Sequence, residues 1–118
     1  MKALLLENIH QNALDILKHH SVQVETIKGG LSEDDLIARL DGISILGIRS
    51  RSHITKRVLE KTGSLLAIGA YCIGTNQIDL HAASLKGVAA FNAPYSNTRS
   101  VAEIVIAEII FLIRRLYD

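Results

Sequence analysis

The sequence predicts an α/β domain: a flavodoxin-like parallel sheet of order 2-1-3-4-5 with helices on both faces. Three features predict it. Short apolar runs alternate with segments of helical period five times within 118 residues. The third run is mostly apolar, as in a strand covered on both faces. The second run alternates apolar and polar residues, which is typical of an edge strand, and right-handed crossovers then give the order.

The first two β–α units occupy the N-terminal third of the chain. Residues 3–6 (ALLL) predict the first strand, and the apolar residues of 9–19 fall on one face of a helix. Residues 22–26 predict the second strand. Ser32 is a good N-cap for a short helix that buries Leu36, because its hydroxyl can accept a backbone hydrogen bond.

Two buried strands follow, at residues 43–48 and 65–68. Thr55 is positioned to cap the brief helix between them. Asp79 should cap the next helix, and Gly87 stands where a helix C-terminus favours a positive φ angle.

The last unit has a fifth strand at residues 88–91 and a long helix running to about Arg115. Ser100 and Glu103 have the spacing of a capping box at its start. Residues 101–113 are apolar on nearly all sides, although one sheet face buries only one stripe of a helix. We therefore expect another chain or domain to cover the rest, with a homo-oligomer formed through this helix as the simplest case.

Composition excludes several classes of protein. Thirteen Lys and Arg against twelve Asp and Glu give a net charge of +1, so no nucleic-acid surface is expected. No apolar stretch reaches the roughly 20 residues of a membrane span. Cys72 is the single cysteine, which excludes an internal disulfide and suits the cytoplasm, and no metal-ligand spacing occurs.

A cationic cluster is the best candidate site. In open α/β sheets, ligands bind beyond the carboxyl ends of the strands. Lys28, Arg49 and Arg51 all follow such ends in a nearly neutral protein, and arginine grips carboxylates and phosphates with paired hydrogen bonds. The alternative, a solvated loop whose arginines pair with nearby acids, stays open on the charge pattern alone.

Familiar nucleotide motifs are absent. Gly69 and Gly74 have the glycine spacing of a P-loop, but Thr75 stands in the place of its lysine. No G-x-G-x-x-G occurs. Cys72 has no evident base partner and is predicted to be a small buried residue rather than a nucleophile.

Three segments resemble the NAD-dependent D-2-hydroxyacid dehydrogenases, and within them the phosphoglycerate dehydrogenase branch. They are residues 47–55 (GIRSRSHIT), 68–80 (IGAYCIGTNQIDL) and 91–103 (FNAPYSNTRSVAE). The resemblance covers essentially the whole chain. It implies oxidation of 3-phosphoglycerate to 3-phosphohydroxypyruvate with NAD, in serine biosynthesis. Residues 1–99 would be the N-terminal part of the substrate-binding domain, and 100–118 a helix leading into an NAD-binding Rossmann domain.

The resemblance also implies roles for particular residues. The substrate, a small phosphorylated 2-hydroxy acid, would be held by Lys28, Arg49, Ser50, Arg51, Gly74 and Asn97. Thr75 and Val101 would touch the cofactor. No catalytic residue is expected in this chain, because the family's general-base histidine, glutamate and arginine come from later segments. The chain alone should therefore be inactive. Two alternatives stay open: another D-2-hydroxyacid dehydrogenase, or a non-catalytic, self-associating anion-binding module.

Overall fold

A five-stranded parallel sheet organises the computed structural model, which describes residues 1–116. The strand order is β2-β1-β3-β4-β5, which confirms the flavodoxin-like prediction. Strands and helices alternate along the chain as β1 (Lys2–Leu5), α1 (Gln11–His19), β2 (Gln23–Thr26), α2 (Glu33–Arg39), β3 (Ile45–Ile48), α3 (Lys56–Lys61), β4 (Ala67–Ala70), α4 (Leu80–Leu85), β5 (Ala89–Asn92) and α5 (Thr98–Ile113).

The hydrophobic core lies between one face of the sheet and α2, α3 and α4. Leu46 and Ile48 of β3 point to this face because side chains alternate along a strand, and both are fully buried. They pack in one cluster with Leu36 of α2 and Leu59 of α3. Each such side chain contributes roughly 1.5–3 kcal/mol through burial, so this layer holds the carboxyl edge of the sheet in place.

The opposite face is only partly covered. Leu14 of α1 and Leu5 of β1 line a small cavity there, so α1 lies over the β2–β1 side. Over β4 and β5 the face is open: Phe91, which pairs with Gly69 in the parallel register, is 63% exposed. The sheet therefore has helices on both faces, but they cover the two faces unequally.

Three predicted helix caps are confirmed. The side chains of Ser32, Thr55 and Asp79 accept hydrogen bonds from the backbone N–H groups of Asp35, Val58 and Ala82. Gly87 has a φ angle of +69°, as predicted for the residue that ends α4.

The predicted capping box at Ser100 is wrong. α5 begins at Thr98, so Ser100 already lies inside the helix, and its N-cap Asn97 makes no side-chain cap hydrogen bond. Glu103 instead accepts a hydrogen bond from Arg99 Nε at 2.7 Å. A charged donor one turn away competes well for a carboxylate, which explains why the spacing misled.

α5 packs against no other helix or strand within the described residues. Its apolar side chains are exposed on all sides, from Val101 near its start to Ile113 at its end. Nevertheless, none of the described helices has the length and apolarity needed to cross a membrane.

Candidate functional site: a cationic cavity at the carboxyl edge of the sheet

The carboxyl ends of β1, β2 and β3 surround one cavity of about 360 Å³. Lys28, which follows β2, lies on its wall together with Arg49, Ser50 and Arg51, which follow β3. Four of the predicted substrate-binding residues are therefore brought together. All four side chains are exposed to solvent, and so are available to a ligand.

The three cations of this cavity make no ion pair with any carboxylate of the described chain. The alternative of a solvated loop whose arginines pair with nearby acids is therefore not what the structure shows. The donors of Lys28, Arg49 and Arg51 are thus not taken up by carboxylates of the described chain, and two guanidinium groups and one ammonium carry enough positive charge to neutralise a doubly charged phosphate.

Glu7, at the end of β1, organises the loop that carries the two arginines. Its Oε2 accepts the backbone N–H groups of Ser50 and Arg51, and its Oε1 accepts that of Ser52, each at 2.9 Å. The Glu7 side chain is almost fully buried beneath the loop. Sequence reasoning missed this residue. The available signal was an acidic residue directly at a strand's carboxyl end, in a site that otherwise favours cations.

Glu7 stays ionised in this position. Burial disfavours the charged carboxylate, but the hydrogen bonds from the loop outweigh burial and hold the pKa of Glu7 below its usual value. Glu7 and Asn8 both adopt left-handed backbone conformations, with φ angles of 61° and 55°. Such conformations cost on the order of 1 kcal/mol in a non-glycine residue, and here the three hydrogen bonds offset that cost.

A second set of contacts ties the loop to the turn after β4. Gln77 Nε2 donates to the carbonyl oxygen of Arg49 at 2.7 Å and to that of Gly74 at 3.3 Å. Cys72 Sγ lies 3.4 Å from the Arg49 carbonyl oxygen. Cys72 is a free, partly buried thiol. The prediction of a small buried residue is met only in part, because Cys72 is partly rather than fully buried.

The remaining predicted site residues lie outside the walls of the cationic cavity. Gly74 and Thr75 belong to the turn after β4. This turn is connected to the loop of the cationic cavity through Gln77, which donates to the carbonyl oxygens of both Gly74 and Arg49. Asn97 is the N-cap of α5, and Val101 is exposed on the first turn of that helix. Their roles toward substrate and cofactor stay predictions.

A neighbouring, larger cavity of about 590 Å³ shares Arg49 with the cationic cavity. Tyr71 and His10 are also on its wall. Burial raises the pKa of the Tyr71 phenol above its usual value, so the group stays protonated and can donate a hydrogen bond at neutral pH. No group of three or more His, Cys, Asp or Glu side chains suited to a metal ion occurs in residues 1–116.

Comparison with known proteins identifies a family and several relatives of this chain. The profile of the D-isomer specific 2-hydroxyacid dehydrogenase catalytic domain matches residues 3–108. A putative D-3-phosphoglycerate dehydrogenase of Schizosaccharomyces pombe is 52% identical over the whole chain, which spans 25% of that relative. The D-3-phosphoglycerate dehydrogenase of Escherichia coli K12 is 46% identical over 97% of the chain and 28% of its own length. The chain thus spans about a quarter of the relatives it matches.

Solved structures share the fold. The TT0316 protein from Thermus thermophilus superimposes with a TM-score of 0.90 at 25% identity, over 99% of this chain and 38% of that one. The NAD⁺-bound 3-phosphoglycerate dehydrogenase of Entamoeba histolytica has a TM-score of 0.84 at 23% identity, over 100% of this chain and 41% of that one. With its parallel sheet, its cationic edge and a profile match across most of its length, this chain belongs to the D-isomer specific 2-hydroxyacid dehydrogenase family.

Proposed function

We propose that the chain is the substrate-binding portion of a D-3-phosphoglycerate dehydrogenase, a cytoplasmic enzyme that oxidises 3-phosphoglycerate to 3-phosphohydroxypyruvate with NAD in serine biosynthesis. The observation that carries this proposal is the cavity lined by Lys28, Arg49 and Arg51, with no carboxylate paired to any of them in the described chain. An unphosphorylated hydroxy acid carries one negative charge and needs fewer cations. Identities of 46–52% with phosphoglycerate dehydrogenases support the same substrate.

In this proposal the two ends of the substrate use different groups. Arg49 and Ser50 hold the carboxylate or the phosphate, and Arg51 and Lys28 surround the phosphate with positive charge. Asn97 hydrogen-bonds the substrate. The Gly74 turn lets the backbone approach the substrate carboxylate, because glycine has no side chain to obstruct it.

NAD is the expected oxidant, with Thr75 and Val101 as the contacts that this chain offers. These residues do not suffice to hold a dinucleotide, because the sequence contains no G-x-G-x-x-G turn. The general-base histidine that the family resemblance implies is not among the site residues proposed for this chain. We therefore expect residues 1–118 alone to bind substrate without oxidising it.

The second candidate is a non-catalytic anion-binding module that associates through α5. The exposed apolar side chains of α5 favour this candidate, because large exposed apolar patches mark surfaces that bind another protein. In that case inorganic phosphate should bind as tightly as 3-phosphoglycerate. A different 2-hydroxyacid dehydrogenase would instead prefer an unphosphorylated acid.

The test is a ligand series followed by NMR on the 118-residue chain, with 3-phosphoglycerate, D-glycerate and inorganic phosphate. We expect saturable binding with 3-phosphoglycerate the tightest. Arg51→Leu should weaken it by about tenfold, the effect of losing one charge-assisted hydrogen bond. Arg39→Leu removes one positive charge at the opposite edge of the sheet and serves as the control. No saturable shift with 3-phosphoglycerate would refute the proposal.

A further inference from the structure

Glu7 connects all three strand ends around the cationic cavity, through its carboxylate and its backbone N–H. Its oxygens accept the N–H groups of Ser50, Arg51 and Ser52, as described above. Its own backbone N–H donates to the carbonyl oxygen of Gly29 at 3.1 Å, directly beside Lys28. One residue thus fixes the segment that carries Lys28 relative to the loop that carries both arginines.

These bonds also decide which donors remain for a ligand. Successive backbone N–H groups in a loop can themselves cradle an anion. Here the three N–H groups that would do so already bind the Glu7 carboxylate, which occupies the underside of the loop. An anion in the cavity must therefore be held mainly by the side chains of Lys28, Ser50, Arg49 and Arg51. The positions of the last three depend on how the loop is fixed.

Two effects of Glu7 on anion binding oppose each other. Its negative charge lies on the wall of the same cavity and repels an anion. Its hydrogen bonds fix the backbone of the loop that carries Arg49 and Arg51, so that less conformational entropy is lost when an anion binds. The three backbone N–H groups spread the carboxylate charge, and the two arginines of the loop oppose it, so positioning should outweigh repulsion.

We propose that Glu7 is a positioning residue for anion binding: its carboxylate occupies the backbone donors of the Arg49–Arg51 loop and so directs recognition to the cationic side chains. The inference deepens the proposed function, on which the identity of the ligand rests. Removal of a negative charge from the wall of an anion site ordinarily strengthens anion binding. The inference predicts the opposite for Glu7: loss of its charge should weaken anion binding.

The experiment compares wild type, Glu7→Gln and Glu7→Asp by NMR, with sulfate as a probe whose charge does not change near neutral pH. Asp41→Asn removes one exposed negative charge at the opposite edge of the sheet and is the matched control. In Glu7→Gln, we expect the amide protons of Ser50, Arg51 and Ser52 to move upfield and sulfate binding to weaken about tenfold. Glu7→Asp should show smaller changes in the amide shifts and in sulfate affinity than Glu7→Gln. Asp41→Asn should leave the amide shifts and the sulfate affinity as in wild type.

Tighter or unchanged sulfate binding in folded Glu7→Gln would overturn the inference, since simple electrostatics would then dominate. Circular dichroism of each variant shows whether it is folded. If Glu7→Gln does not fold, Glu7→Asp decides: it keeps the charge but is too short to span all three N–H groups, so wild-type affinity would count against positioning. If wild type binds neither sulfate nor 3-phosphoglycerate, the proposed function fails, while the ligand-free amide shifts still decide whether Glu7 holds the loop.

Discussion

Gly30 permits the close approach of the two cationic segments, and its replacement by alanine is the sharpest structural prediction. A Cβ at Gly30 would lie 3.0 Å from Arg51 Cβ and 3.4 Å from Ser52 Oγ. Arg51 cannot move away freely, because Glu7 holds its backbone N–H. The neighbouring Gly29 has open space where a Cβ would be placed, so Gly29→Ala is a matched control one residue away.

The magnitude follows from distances. Carbon atoms prefer contacts of about 3.5–4.0 Å, so the two segments must separate by a few tenths of an ångström. The hydrogen bond from Leu31 N–H to Ser52 Oγ is already 3.3 Å long and would be lost. That loss costs about 0.5–1.5 kcal/mol. Alanine also restricts the unfolded chain, which stabilises by about 0.4–1 kcal/mol, but this gain is common to both variants and cancels between them.

Urea unfolding should therefore place Gly30→Ala about 1 kcal/mol below Gly29→Ala, or about 4 °C lower in melting temperature. The same separation moves Lys28 away from Arg51, so 3-phosphoglycerate should bind about fivefold more weakly to Gly30→Ala. If the two variants unfold alike and bind alike, the close packing of the cationic segments has no energetic consequence, and the reasoning is refuted.

Three further predictions concern packing, pH and association. Gly47→Ala should destabilise by about 1–2 kcal/mol relative to Gly63→Ala, because its Cβ would overlap Leu5 Cδ2 whereas Gly63 has open space; equal unfolding midpoints would contradict this. The lowered pKa of Glu7 means that its contribution to stability is present above its ordinary value of 4.5 and is lost as pH falls through the folded value. The stability difference between wild type and Glu7→Gln should therefore shrink in urea titrations from about pH 6 to about pH 3, and a constant difference would count against an ionised Glu7. Sedimentation should show a dimer or larger assembly through α5, and Ile109→Lys should shift it toward monomer; a monodisperse wild-type monomer would rule out association through α5.

Much of the fold could be predicted because local signals agreed with tertiary packing. Caps such as Ser32 and Thr55 act within one turn of helix, so spacing alone identifies them. The starts of β3 and β4 were predicted two residues early: Ile43 and Leu65 are buried but precede these strands, because hydrophobicity reports burial rather than backbone pairing.

The sequence allowed the cationic residues of the site to be predicted, but not Glu7, which fixes the loop that carries two of them. Lys28 and Arg51 follow strand ends, and a parallel sheet brings such ends to one edge. The role of Glu7 depends on contacts with residues 43 to 45 positions later in the chain. Left-handed backbone at Glu7 also has no sequence signal, because glutamate has no preference for it. Contacts between residues so far apart in the sequence can be recognised only once the folded sheet is known.

The central claim is that the cationic carboxyl edge of the sheet holds a phosphorylated hydroxy acid. The most direct measurement is an amide chemical-shift map of the chain at saturating 3-phosphoglycerate. We predict that the largest shifts fall on Lys28, on residues 49–52 and on the turn at Gly74. Shifts that instead concentrate at the amino edge of the sheet, near Asp41, or that fail to saturate would contradict the account.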